Sequence, residues 1–323
     1  MVERDTLLRI RDLTVTFPGR DGRVTILDNV AFEVFGTEIV GLVGESGSGK
    51  TMTSLTVMGF LPPSGRIEGG EIWFRDGDLL GYTEEQMSQI RGQQIAMIFQ
   101  STRSALNPLM RVGDQVARVY RIQRGLGGRE AKAEAVRALG RMGIPDAERR
   151  AEAYPHQLSR GMCQRVLIAM MVACEPALLI ADEPTTGLDV TIQAQIFELI
   201  KVVQQATKAS ILLITHDLGV VAETCERVVV MYAGQVMETA RVDSLFANPT
   251  HPYTQKLLHS VLRVDKTVEM PKADAGINEE VTYAIRGCRF ASRCPRVLPH
   301  CWSEQPAREQ VEPDHWVRCH NLS

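Results

Sequence analysis

The chain has 323 residues, 44% of them hydrophobic and 23% charged, which allows a sizeable core in about two domains and excludes a disordered or fibrous protein. Lys and Arg number 36 against 39 Asp and Glu, a formal charge of −3, so the broad cationic surface of non-specific nucleic-acid binders is missing and no nucleic-acid partner is expected. No apolar run approaches the ~18 residues that cross a bilayer. The opening MVERDTLLRIRDL alternates charged and apolar residues where a secretory signal needs a continuous apolar core, which predicts a chain that stays in the cytosol.

In chain order, residues 7–17 and 24–34 alternate in hydrophobicity around the turn Pro18-Gly19-Arg20-Asp21-Gly22, predicting an N-terminal β-hairpin. Four short runs rich in Ile, Leu and Val, residues 38–43, 95–99, 177–181 and 210–214, read as buried parallel strands. Helical patterns over residues 50–59, 129–142, 161–173 and 191–205 lie between them. An open α/β sheet follows, with ligands expected at the strand-end loops. No strand pattern occurs from Ser101 to Ser159, which predicts a helical subdomain of about residues 101–165 inserted into the sheet. A strand-like stretch covers residues 227–238. From about His251 the composition turns to Pro, Cys, His and Trp, dividing the chain into a main domain of residues 1–250 and a small extension of residues 251–323. The sequence has no internal repeat.

Chemistry enters at Gly44-Glu45-Ser46-Gly47-Ser48-Gly49-Lys50-Thr51, which matches the phosphate-loop pattern G-x-x-x-x-G-K-S/T between a predicted strand and a predicted helix that continues with Met52. Glycines let backbone N–H groups close on phosphate oxygens at the helix N-terminus. Lys50 would reach the β- and γ-phosphates, and the Thr51 hydroxyl would bind Mg²⁺. Asp182 and Glu183 end another strand, which makes Asp182 the metal-side carboxylate and Glu183 the candidate general base. His216 follows the run 211–215 and is a candidate for contact with the γ-phosphate or Glu183.

With these residues in order, the chain resembles the nucleotide-binding subunit of an ATP-binding cassette (ABC) transporter over nearly its full length. Leu158-Ser159-Arg160-Gly161-Met162 is similar to the family signature L-S-G-G-x and precedes a predicted helix. The resemblance implies an α/β P-loop NTPase with an N-terminal antiparallel β subdomain, in which two subunits sandwich ATP between one phosphate loop and the other signature. It further implies that Phe17 stacks on adenine, that Gln100 senses Mg²⁺ and the membrane subunits, and that Leu188 and Asp189 form the loop joining the two sites. Arg160 replaces the first signature glycine, where a guanidinium obstructs or recharges the approach of N–H groups to phosphate. The composite site using this signature is therefore expected to be impaired, and a second cassette subunit with an intact signature is expected as partner.

Within the family, Ser104-Ala-Leu-Asn-Pro108 and His251-Pro-Tyr-Thr-Gln-Lys-Leu-Leu258 resemble the oligopeptide/dipeptide importer ATPases, in their D-type subunit. The HPYT segment also reads as a Pro-started helix with an apolar stripe at Tyr253, Leu257 and Leu258. Cys288, Cys294, Cys301 and Cys319, spaced C-x5-C-x6-C-x17-C, ask for a soft metal in a reducing compartment. Four thiolates suit Zn²⁺ or an iron–sulfur cluster, and the spacing leaves both open. The resemblance favours a 4Fe-4S cluster, with His300, His315 and His320 close enough in sequence to substitute as ligands. The reading implied is an ATP- and Mg²⁺-dependent, energy-coupling subunit of a peptide importer. It would work with a second ATPase, two membrane permeases and, indirectly, an extracytoplasmic binding protein, at the cytoplasmic face of the membrane. The competing readings are a cassette ATPase acting on nucleic acid or ribosomes and a redox-sensing subunit with impaired turnover.

Overall fold

A computed structural model describes residues 5–19, 22–100, 105–261 and 279–322; Ser104, the first residue of the S-A-L-N-P segment, lies outside them. The chain divides into two bodies, Met1–Gly81 with Ile214–Ser323, and Tyr82–Leu213.

In the first body, strands β1 (Thr6–Gly19) and β2 (Gly22–Phe35) form the predicted antiparallel hairpin. Leu8, Ile10, Leu13 and Val15 of β1 are buried to 1% exposure or less, the inward half of a two-residue period that slips once. The slip is a bulge between Ile10 and Leu13, where Asp12 takes a φ of 45°. Next come β3 (Ile39–Val43), helix α1 (Lys50–Val57), β4 (Arg66–Phe74) and β5 (Gly77–Asp78). The sheet order β2-β1-β4-β5 includes a strand, β4, that the sequence analysis does not anticipate. Its first six residues are exposed, so neither alternation nor a buried run marks it. Gly70 of β4 has a φ of 101°, and a Cβ there would lie 2.5 Å from the Leu13 Cα, so the bulged crossing of β1 and β4 admits only glycine.

The second body begins with α2 (Glu84–Ile90), whose Thr83 and Gln86 form a reciprocal capping box. Then follow β6 (Ile95–Ile98), α3 (Val112–Arg124), α4 (Gly128–Arg141), α5 (Ala147–Ala151), α6 (Arg160–Val172), β7 (Leu178–Asp182), α7 (Val190–Thr207) and β8 (Ser210–Thr215), the last two residues of β8 counting to the first body. Strands β6 and β7 pair in parallel and are buried along their whole length, as strands covered on both faces must be. Among the described residues between 105 and 159 there is no strand, in line with the predicted helical insertion. Ala131, Ala135, Ala138 and Leu139 form the buried stripe of α4, at the i, i+4, i+7, i+8 spacing of one helix face.

Back in the first body are α8 (Leu218–Thr224), β9 (Arg227–Tyr232), β10 (Gln235–Arg241), α9 (Val242–Ala247), α10 (Pro252–Val261), α11 (Glu279–Ala284), β11 (Arg308–Glu312) and β12 (His315–Arg318). The stretch 227–238, expected as one strand, is two antiparallel strands. They turn at Ala233 and Gly234, both with positive φ, 44° and 83°, as a two-residue hairpin requires. The turn is hidden in the sequence because both arms are continuously buried and its residues are small. β3 joins β9 in parallel, and β12, also unanticipated, pairs with β10.

Candidate nucleotide site

The first body carries the phosphate loop, between β3 and α1. Gly44, Gly47 and Gly49 have φ of 156°, 77° and 99°. A Cβ on Gly44 would sit 2.1 Å from the Met231 carbonyl oxygen, so the loop is pressed against β9 where only glycine fits. Lys50 Nζ donates to the carbonyl oxygens of Gly44 and Glu45 at 2.8 and 2.9 Å and to Ser48 Oγ at 3.2 Å. The cation that is to meet phosphate is thus held curled over its own loop. Ser46, Gly47 and Thr51 are exposed, and Met52 is half-buried in the first turn of α1. Phe17 is half-buried near the end of β1, close enough to Gly65 that a Cβ there would lie 2.8 Å from its ring. His216 is exposed just past β8, next to Asp217, whose carboxylate accepts the N–H groups of Gly219 and Val220 and caps α8.

Four side chains that the motifs do not point to touch or brace this loop. Arg293 Nη1 and Nη2 donate to the two oxygens of Glu45 at 2.8 and 3.2 Å. Burial works against the Arg293 cation, but the hydrogen bonds to Glu45 and Tyr232 outweigh it and raise its pKa. The Glu45 N–H donates to the Tyr253 hydroxyl at 2.9 Å. Burial, then the Glu45 charge, raise the pKa of that phenol. Tyr283 donates its hydroxyl to the Gly47 carbonyl at 3.0 Å, and the Gly234 N–H donates to the Ser48 carbonyl at 2.8 Å, from a turn whose Ala233 carbonyl accepts Arg289 Nη1. No local motif announces these contacts, and those made to the loop itself join residues more than 180 positions apart.

The second body carries the carboxylates. Asp182 ends β7, buried to 1% exposure. Glu183 follows with a φ of 43°, a conformation that side chains other than glycine adopt at a cost of about 1 kcal/mol or more. The strained residue is held from outside: Gln100 Nε2 donates to Glu183 Oε2 at 2.7 Å and Thr186 Oγ1 at 3.0 Å. Gln100 and Glu183, predicted separately, are therefore direct partners. The signature lies at the start of α6. Ser159 caps it by accepting the Met162 N–H at 3.2 Å, and a Cβ on buried Gly161 would sit 2.8 Å from Ile192. Arg160 is exposed and donates to the Gly187 carbonyl at 3.0 Å. Asp189 caps α7 through the Ile192 N–H at 3.0 Å. Arg160 thus reaches the loop 183–189 two residues before Asp189 closes it. The exposed Thr51 hydroxyl of the first body and the Asp182 carboxylate of the second are each a hard oxygen donor of the kind Mg²⁺ takes.

The metal site expected in the extension is not assembled among the described residues. Among the described residues no group of three or more His, Cys, Asp or Glu is placed to hold a metal ion. Burial pushes the Cys288 thiol up to about 12, with the charges of Cys319, Cys301 and Cys294 adding to it, and burial raises Cys294 and Cys319 likewise. The candidate substitute His315 gives its Nε2 to Glu238 at 2.7 Å inside the β10–β12 pairing, and His320 Nε2 meets the Glu304 carbonyl. The residues as placed do not form the donor set that the spacing suggests.

The comparisons with known proteins agree with the nucleotide reading. Residues 27–186 match the ABC transporter family model, and residues 237–301 match that of the oligopeptide/dipeptide transporter C-terminal region. The oligopeptide transport ATP-binding protein AppD of Bacillus subtilis is 45% identical, covering 97% of this chain and 96% of its own length. OppD of Escherichia coli, also named an oligopeptide transport ATP-binding protein, is 43% identical over 95% and 91% of the two chains. The dipeptide transport ATP-binding protein DppD of B. subtilis is 43% identical over 98% and 94%. Among solved structures, the dimeric ATP-binding cassette MJ0796 bound to ADP and Pi superposes with a TM-score of 0.64 at 26% identity, covering 73% of this chain and 98% of that one. A glycine-rich loop with its lysine, a strand-end Asp-Glu pair and a capped signature helix, together with relatives similar end to end, place this chain in the ABC transporter family, among the ATP-binding proteins of its oligopeptide/dipeptide branch.

Proposed function

We propose that this chain is the energy-coupling ATPase of a peptide importer, paired with a second cassette subunit and seated on two membrane permeases. The observation that carries the reading of hydrolysis is the Glu183 carboxylate, held by Gln100 and Thr186 at a strained backbone position. In this proposal the phosphate loop and Lys50 bind the triphosphate, and Thr51 and Asp182 hold Mg²⁺, which neutralises phosphate charge when bound. Glu183 accepts the proton of the attacking water, Gln100 orients that carboxylate, and His216 contacts the γ-phosphate. Phe17 takes the adenine ring. No helix among the described residues is long and apolar enough to cross a membrane, which suits a subunit bound peripherally at the cytoplasmic face.

Arg160 supports pairing with a different subunit. Its guanidinium lies along the chain's own loop, on the Gly187 carbonyl, where a family signature presents glycine N–H groups to a neighbour's ATP. We assign this signature to an impaired composite site, and this chain's phosphate loop, Glu183 and His216 to the competent one, completed by the partner's signature and Asp189. Support for a permease site comes from the helical insertion. A groove of about 370 Å³ is lined by Met110, Ile122, Met170 and Met171 among others, and Ile122 is 65% exposed. Flexible Met and exposed aliphatic side chains suit a helix inserted from a partner.

The 4Fe-4S cluster or Zn²⁺ at Cys288, Cys294, Cys301 and Cys319 stays an implication of the resemblance alone, and no step of the proposal runs through it; iron, zinc and acid-labile sulfide counted in anaerobically purified chain decide the matter. The proposal as a whole is tested by affinity purification from native membranes. Two permeases, a second cassette ATPase and a peptide-loaded binding protein are expected, and ribosomal or DNA-repair partners instead would overturn it.

A further inference from the structure

We propose that Tyr253, Tyr283 and Arg293, all beyond residue 250, brace the phosphate loop and that Arg293 is the principal positioning residue among them, setting the affinity for ATP from outside the nucleotide motifs. The inference rests on the reading of residues 44–51 as the ATP-binding loop and goes beyond it by giving the C-terminal region a part in that binding.

The contacts fall on both sides of the loop's exposed tip. On the ascending side Glu45 is held twice, its N–H on the Tyr253 hydroxyl and its carboxylate in the two-pronged grip of Arg293. On the descending side the Gly47 carbonyl accepts from Tyr283. Between them only Ser46 projects. Arg293 is itself seated firmly: its side chain is 12% exposed, it lies 5.5 Å from the Tyr232 ring centre and 5.9 Å from that of Phe290, and Nη1 also reaches the Tyr232 hydroxyl at 3.1 Å. Tyr232, Tyr253 and Phe290 pack edge to face or tilted at 4.7 to 5.4 Å. One aromatic cluster thus anchors both groups that hold Glu45.

A loop with three glycines at positive φ has more backbone freedom to lose on ligand binding than any other kind of loop. Fixing it beforehand raises affinity because that entropy is already spent. The Tyr283 bond has a further consequence. It fixes the Gly47 carbonyl at 3.0 Å while the Ser48 N–H of the same peptide donates to the Glu45 carbonyl at 3.1 Å, so this peptide of the loop is tied at both its polar groups. Glu45 itself is an anion beside an anion site, and Arg293 offsets that charge.

The test uses the full chain, with MgATP binding followed by equilibrium titration, and the assembled transporter for steady-state hydrolysis. Arg293→Ala should raise the ATP Kd and KM about 10-fold while kcat at saturating ATP stays within about twofold, since the brace acts on binding and touches no reacting atom. Arg293→Lys should recover part of the loss with its single-pronged contact. In a Glu45→Gln background, where the ion pair is already absent, Arg293→Ala should cost much less than it does in the wild type. Tyr283→Phe, which keeps the ring and removes one oxygen, should raise KM about threefold. It decides the matter by the same criterion if Arg293→Ala does not fold. Unchanged KM in folded Arg293→Ala, or kcat and melting temperature falling with KM unmoved, overturns the inference. Failure of the wild-type chain to bind ATP would instead overturn the reading of the loop beneath it.

Discussion

Glu183→Gln isolates the chemistry of the proposed base from its geometry. The carboxylate accepts two donors on Oε2, from Gln100 at 2.7 Å and Thr186 at 3.0 Å, and a glutamine carbonyl oxygen can accept both in the same place. The variant therefore keeps the hydrogen bonds and the left-handed backbone and loses only the negative charge and the basic oxygen. A positioned general base contributes about 10²- to 10⁴-fold, or roughly 2.7 to 5.4 kcal/mol of barrier, so kcat in the assembled transporter should fall by at least ~10² with the ATP Kd unchanged. Glu183→Asp supplies the control. Shortening the side chain by one C–C bond withdraws the oxygen by about 1.5 Å, beyond hydrogen-bond reach of Gln100, so a correct base in the wrong place should also lose most of kcat. Single-turnover hydrolysis with radiolabelled ATP measures both. Wild-type turnover in Glu183→Gln would refute the assignment and move the base elsewhere.

Three further outcomes are expected. Arg160→Gly should raise ATP hydrolysis of the assembled complex severalfold by opening the second composite site, and an unchanged rate defeats the idea of an impaired signature. Ile122→Asp, at a 65% exposed position, should leave the melting temperature within experimental scatter but weaken retention of the permeases about 10-fold on affinity resin; full retention removes this groove from the interface. His251 predicts a pH dependence of stability: burial, opposed by the Glu238 charge and aided by that of Arg296, lowers its pKa to about 4. The unfolded chain takes up a proton near the ordinary 6.5 that the folded imidazole refuses, so this contribution is complete above pH 6.5 and is lost as pH falls toward 4. The slope is about 1.4 kcal/mol per pH unit across that window. His251→Asn keeps an acceptor for the Tyr253 N–H, which Nδ1 now receives at 3.0 Å, and should flatten the urea-unfolding midpoint between pH 7 and 5. An unaltered slope would put the proton uptake on another group.

Motifs that act through adjacent residues were legible in the sequence. The phosphate loop needs three glycines, a lysine and a helix start within eight positions, and the strands around it are short apolar runs because both faces are covered. Asp182 and Glu183 sit at a strand end, where the composition announces a boundary. Ser159, Asp189 and Gln100 were legible only through the resemblance, and the bond of Gln100 to Glu183 came from the fold. β4 escaped because its exposed half carries no hydrophobic period. The Ala233-Gly234 turn escaped because buried strands leave no polar punctuation.

The cysteines mark the opposite limit: spacing suggests a ligand set, yet among the described residues no such group is assembled, and His315 is paired with Glu238 instead. The brace on the phosphate loop lies wholly beyond the sequence. By itself the sequence determined the local chemistry, because a helix cap or a phosphate loop is built from neighbours whose geometry the backbone dictates. Only the tertiary structure decided that Arg293, 248 positions from Glu45, would grip it, because a long-range ion pair depends on where two distant segments are packed, and no period or motif encodes that distance.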